Sequence, residues 1–380
     1  MDQLDLIKTP LSWGVLLLGL ALYVINRSVR WRASKASPQA SLSDSKSKEP
    51  VYSEDDYYNI QPLHDFDLDN EEPLKVRPFK PKFHMTMAIE NITLSDLIAM
   101  DNSYATRLQI RTSLLKTQHH EVLACNPAAA PAVLELYTWL TSTYLPTRFP
   151  SLFQLSTPNT LLNTVTGALL PLQPASAPQA LEILGANIDD EFFILLPSST
   201  PGSHGKYRLE AFINCFPSGF NTRSKLGALL AEIHTPVPHY KEKLEKSMDR
   251  FFAALPVGRI VRRFNWTVST NGELFCLSGN HGVEEEGEKK KEEEEVDLRK
   301  TVLRCERQTL HRLPGSGAIV FAFKTYQYPI QELRDEGSGE MLAEAIDGMA
   351  TGSVPRMTVY KRQVVWGPKV KAFLRGEIDI

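Results

Sequence analysis

The chain has 380 residues, 42% of them hydrophobic and 9% aromatic, with 42 Lys and Arg against 45 Asp and Glu for a formal net charge of −3. That length accommodates one large domain or two modest ones with a full apolar core. The charge is close to balanced, and no basic face interleaved with aromatics gives reason to expect a nucleic-acid partner. Four widely spaced cysteines, Cys125, Cys215, Cys276 and Cys305, contain no CxxC and so match neither a zinc ribbon nor an iron–sulfur set. Buried free thiols in a reducing compartment are the simplest reading.

Residues 1–8 form a short polar head, and residues 9–26 an uncharged run dominated by Val15 to Ile25. Eighteen helical residues span roughly 27 Å, enough for a thin reticulum-type bilayer. A cleaved signal peptide is the alternative, but the head carries Asp2 and Asp5 while Arg27, Arg30, Arg32 and Lys35 follow the run. The charge bias therefore predicts an uncleaved transmembrane anchor, single-pass in the endoplasmic reticulum, with the body in the cytosol. Residues 27–76, rich in Ser, Asp, Glu, Lys and Pro, read as a flexible tether on which Tyr52, Tyr57, Tyr58 and Phe66 are local docking candidates. Residues 77–380 are left as the functional domain.

Within that domain, Pro131 to Tyr144 spaces apolar residues helically behind a first-turn proline. Residues 192–196 and 207–216 read as strands around a Pro-Gly turn. Tyr240 to Leu255 reads as an amphipathic helix, and 260–269 with 273–277 as a hairpin around Asn271-Gly272. Residues 284–295 (EEEGEKKKEEEE) are too polar to pack and read as an exposed insertion. A further strand at 318–328 and a helix at 340–349 complete the pattern. Strands come in pairs and do not alternate with helices, which predicts an α+β fold with an antiparallel sheet and flanking helices.

The densest stretch is Leu303 to Phe321 (LRCERQTLHRLPGSGAIVF), where a charged segment runs directly into a β-branched one. Arg304, Arg307 and Arg312 have the donor forks that suit carboxylates and phosphates, although a solvated, ion-paired turn before a core strand would read similarly. The phrase resembles the haem-dependent oxidative N-demethylase α-subunit-like family. So do Cys215-Phe216-Pro217-Ser218-Gly219-Phe220, Lys225-Leu226-Gly227, Ile233-His234-Thr235-Pro236-Val237-Pro238 and Phe264-Asn265-Trp266-Thr267-Val268. Leu94 to Tyr104, with Asp101, resembles its N-terminal block more weakly. These words cover roughly Phe79 to Lys371 in the family's order.

The resemblance implies a PAS-like sheet holding haem b, and oxidative removal of a methyl group from a small amine or specialised metabolite. A non-catalytic PAS-like haem sensor or scaffold is the alternative, because a fold hosts many functions. Haem needs an axial donor, and among nine histidines His234 is the choice because prolines follow it in a family word. His239 is second and His311 third. Neither a P450-type cysteine context nor CxxCH is present, so haem would be held non-covalently. Arg304, Arg307 and Arg312 would pair with the propionates. If 303–310 is extended, however, Arg304, Glu306 and Gln308 share one face and Arg307 the other, so at least one arginine is structural. Glu306 either pairs with an arginine or orients a cationic amine, and Asn265 and Trp266 are candidate wall residues.

No P-loop, zincin, dinucleotide loop or nucleophile elbow is present. Nor does the chain show a flavin fingerprint or a ferredoxin cysteine set, so an electron-donating reductase would have to act in trans.

Overall fold

Alternating apolar residues along three long segments set the architecture. A computed structural model describes residues 51–282 and 296–380, and residues 52–380 form one compact unit. Ten strands are present among the described residues. They are β1 (Glu90–Ile92), β2 (Leu123–Cys125), β3 (Phe153–Thr157), β4 (Thr160–Asn163), β5 (Ala168–Pro171), β6 (Glu191–Pro197), β7 (Tyr207–Ile213), β8 (Ile260–Ser269), β9 (Val302–Arg312) and β10 (Ile319–Pro329). Seven make an antiparallel sheet in the order β1-β8-β9-β10-β6-β7-β2, and β3-β4-β5 form a small second sheet. The fold is α+β with antiparallel sheets.

β9 is the spine. It pairs with β10 from Arg312↔Ile319 to Val302↔Pro329 and with β8 from Val261↔Leu310 to Ser269↔Val302. Its side chains alternate between two different environments. On one face lies the main core, where Phe192, Ile194, Val320 and Ala322 pack with helices α1 (Tyr104–Thr117), α2 (Ala130–Trp139) and α3 (Ala177–Asn187). On the other, Leu310 and Leu195 join Met248 and Phe252 of α4 (Lys246–Ala254). A third cluster joins Leu303, Cys305 and Tyr326 at the far end of the spine to α5 (Gly339–Ala350) and α6 (Gln363–Leu374).

The structure corrects three expectations. Among the described residues no helix is long and apolar enough to cross a membrane. The run at 9–26, on which the transmembrane anchor and the single-pass reticulum location rested, lies outside the described residues. Both drop from the account. Residues 52–76, read as the distal tether, belong to the compact unit: Glu54–Tyr58 is a helical turn with a Ser53–Asp56 capping box, and Tyr57, Ile60 and Val76 are buried. The remaining tether and the insertion at 284–295 lie outside the described residues. Finally, the predicted 260–269/273–277 hairpin is replaced by pairing of β8 with β9, some thirty residues further on. The main-chain carbonyls of Glu273 and Leu274 accept hydrogen bonds from Arg304 and are unavailable for a ladder, while Cys276 bridges to Ser218.

Candidate functional site

The even-numbered face of β9 opens into a cavity of about 1520 Å³, larger than the roughly 300–1,000 Å³ of a typical single-ligand pocket. Register explains its lining. Arg304, Glu306, Gln308 and Leu310 of β9 lie beside Thr267, Asn265 and Arg263 of β8 and Phe321 and Phe323 of β10. Phe193 and Leu195 of β6 and Leu209 of β7 continue the wall. The sheet therefore presents an apolar half, over β10, β6 and β7, and a polar half over β8 and β9.

His234 lines this cavity. It ends the short helix Leu230–Ile233, and its Nδ1 lies 2.7 Å from the Leu230 carbonyl oxygen. A carbonyl can only accept, so Nδ1 carries the proton and Nε2 keeps its lone pair. Burial, the largest influence, holds the imidazole pKa below its ordinary value, and the nearby Arg263 and Lys225 cations act the same way. Tyr240 stacks on the ring at 4.6 Å and 10°. That tyrosine is buried, and it lies between His239, whose φ of 58° is left-handed, and a π-helical turn at Lys241–Glu245. The result is an imidazole on the cavity wall with a fixed tautomer, a plane held by Tyr240 and an Nε2 that carries no proton.

The other histidines ranked from the sequence lie elsewhere. His239 is exposed beside Glu242, 3.9 Å away. His311 is fully buried on the opposite face of β9, against the rings of Tyr57 and Trp139, with both nitrogens unpartnered and its pKa pushed down by burial to about 3.

The three arginines separate as alternation requires. Arg307 points to the core face, where it donates to the carbonyls of Leu97 and Asp96. Arg312, at the end of β9, donates to the carbonyls of Leu255, Gly317 and Phe252 and to the Tyr207 hydroxyl. Neither lines the cavity. Arg304 does, but its terminal nitrogens are taken by the carbonyls of Glu273, Leu274 and Phe216. All three fix the main chain, and only Arg304 lends its charge to the wall.

Sequence reasoning missed the residues that complete the polar half. Arg263 faces the cavity with its Nε buried and unpartnered. Lys361 is 8% exposed and donates to the Trp266 carbonyl; burial pushes its pKa down to about 8, Arg263 adds to the shift and Glu306 opposes it. His281, its Nδ1 3.4 Å from the Gly219 carbonyl oxygen, packs against Tyr360 at 4.7 Å. Period-2 alternation from Asn265 would have found Arg263. No local signal marks Lys361, which arrives from the segment before α6. Asn265 and Trp266 both line the cavity.

The four cysteines are free and none lines the cavity. Among the described residues no group of three or more His, Cys, Asp and Glu is placed to hold a bare metal ion. His84, His234 and His281, aromatic walls and a cationic polar half give the cavity a lining that fits a flat, largely apolar, anionic group such as haem. Residues 88–371 match the family model described as haem-dependent oxidative N-demethylase, alpha subunit-like. The chain belongs to that family, which is haem-dependent by description.

Proposed function

We propose that this protein is a haem-dependent oxidoreductase that removes a methyl group oxidatively from a small amine or a related metabolite. The observation that carries the reading is His234, whose Nδ1–H is committed to the Leu230 carbonyl, leaving Nε2 unprotonated, and which lines a cavity large enough for a cofactor and a substrate together. Haem b, when bound, supplies the redox chemistry. The chain's own residues do the rest. His234 would hold the haem iron through Nε2, Tyr240 holds the imidazole plane, and Phe193, Phe321 and Phe323 form an apolar wall that excludes water. Glu306, held by Gln308 Nε2 at 2.8 Å, is an acceptor on the polar wall for an amine N–H. Electrons must come from a reductase in trans, because no second redox group has a motif in this chain.

The test is spectroscopic and then kinetic. Purified protein is expected to carry haem and to give a reduced-plus-CO difference spectrum. With a reductase and a secondary or tertiary methylamine it should consume NADPH and release formaldehyde. Haem without amine-dependent turnover would favour a sensor or scaffold, and a protein that neither retains nor takes up haem would refute the proposal.

A further inference from the structure

The polar half of the cavity carries more positive charge than its own walls neutralise. Among the described residues, four lysines with Arg263 and Arg304 line the cavity against two glutamates, in a chain whose net charge is −3. Of the glutamates, Glu90 is already paired with Arg262 at 2.8 Å. Glu306 is left facing Arg263, Arg304 and Lys361, and its carboxylate accepts from Gln308 without a close ion pair.

The three cations differ in what they have to spare. Arg304 spends its terminal nitrogens on main-chain carbonyls. Arg263 makes no hydrogen bond or ion pair among the described residues, and its Nε is buried. Lys361 is buried, with its Nζ bonded to the Trp266 carbonyl and 5.2 Å from the centre of the Trp266 ring. Arg263 thus lies on β8, and Lys361 is bonded to the same strand three residues further on, at Trp266. Burial disfavours the charged form of each, with Glu306 the opposing influence on both. A free guanidinium fork beside a buried ammonium with donors to spare is chemistry that matches a carboxylate. An unmatched buried cation would be costly to retain.

We propose that Arg263 and Lys361 form a subsite for a buried carboxylate, supplied either by a haem propionate or by a carboxylate on the amine substrate. The first source rests on the haem reading; the second does not. The subsite replaces Arg307 and Arg312 as the place where an anion is held.

The experiment compares wild type with the Arg263→Gln/Lys361→Gln double variant, in the full chain, with folding checked by circular dichroism. Two ligand pairs differ only in a carboxylate: hemin against hemin dimethyl ester, followed by the Soret band, and N,N-dimethylglycine against dimethylamine, followed by calorimetry. A propionate source predicts that wild type prefers hemin to its ester by at least tenfold and that the variant loses this preference while binding the ester as before. A substrate source predicts the same pattern for dimethylglycine over dimethylamine. The wild-type comparison needs no variant, so misfolding cannot rescue the idea. Absence of both preferences in wild type, or their survival in the double variant, would overturn the subsite. Failure to bind either hemin would refute the haem reading, and the amine pair would still decide the subsite.

Discussion

The loop that carries His281 rests on a single glycine. Gly219, with φ of 79°, presses its α-carbon side against Asn280: an added Cβ would lie 2.5 Å from the Asn280 Cβ and 2.9 Å from its backbone nitrogen. Gly205 has the same φ with nothing within 4 Å. Gly205→Ala should therefore cost only the backbone strain of about 1 kcal/mol, whereas Gly219→Ala should cost about 1–3 kcal/mol more and displace the 279–281 segment. Urea melts of the two variants measure the difference, and equal costs would show that the contact yields. Residue types were legible in the sequence where a local word constrained them: the prolines after His234 mark a fixed turn, and the histidine does face the cavity. The arginines were not, because what a guanidinium bonds to is set by distant strands. Arg307 finds its acceptor at Leu97, 210 positions away.

At the scale of elements, α1 is tied to the sheet by a buried ion pair. Arg111 and Glu191 bond to each other; Arg111 also donates to the carbonyls of Gly185 and Asp190, and Glu191 accepts from the Cys215 amide at 2.7 Å. The pair therefore positions the Cys215–Phe220 loop on the cavity side as well as the helix. Arg111→Ala leaves a buried carboxylate uncompensated, and a loss of about 3–5 kcal/mol in chemical denaturation is expected; a loss under 1 kcal/mol would mean that water or relaxation replaces the pair. Helices and strands with strong periodicity were read within a few residues of their observed ends, as in β10 and α5. The exception was the hairpin around Asn271-Gly272. Its turn signal is real, with Gly272 at φ 64°, but the carbonyls of the following segment serve Arg304 and no strand forms there. A turn motif specifies a reversal, not which strand returns.

Taken as a molecule, the protein buries acids on the sheet face opposite the cavity. Asp101 bonds Lys324 at 2.6 Å, and Lys324 also lies 3.5 Å from Asp189. Asp190 is fully enclosed with both carboxylate oxygens unpartnered, and burial, only partly offset by Lys324 and Arg307, pushes its pKa up to about 7 from 3.8. With the folded value raised, the folded state binds more protons than the unfolded one between these limits. Asp190 therefore favours folding fully below about 3.8 and loses that contribution as pH rises through about 7. Asp190→Asn should flatten the fall in stability across this window, so that the variant gains on wild type as pH rises; parallel curves from denaturation at pH 5 and pH 8 would contradict the assignment. The cluster was not legible in the sequence as a unit, because Asp101 before α1, Asp189 and Asp190 before β6 and Lys324 of β10 converge only when the sheet closes.

The most direct test of the account is the haem content of single-histidine variants. Each is purified, checked for folding by circular dichroism, and measured for haem stoichiometry and Soret position. His234→Ala should lose haem or shift its spectrum, because the variant removes the nitrogen donor proposed for the iron. His239→Ala should retain both, because that side chain is exposed beside Glu242. Full haem with an unshifted Soret band in His234→Ala would contradict the assignment and turn attention to His281 and His84, the other imidazoles on the cavity wall.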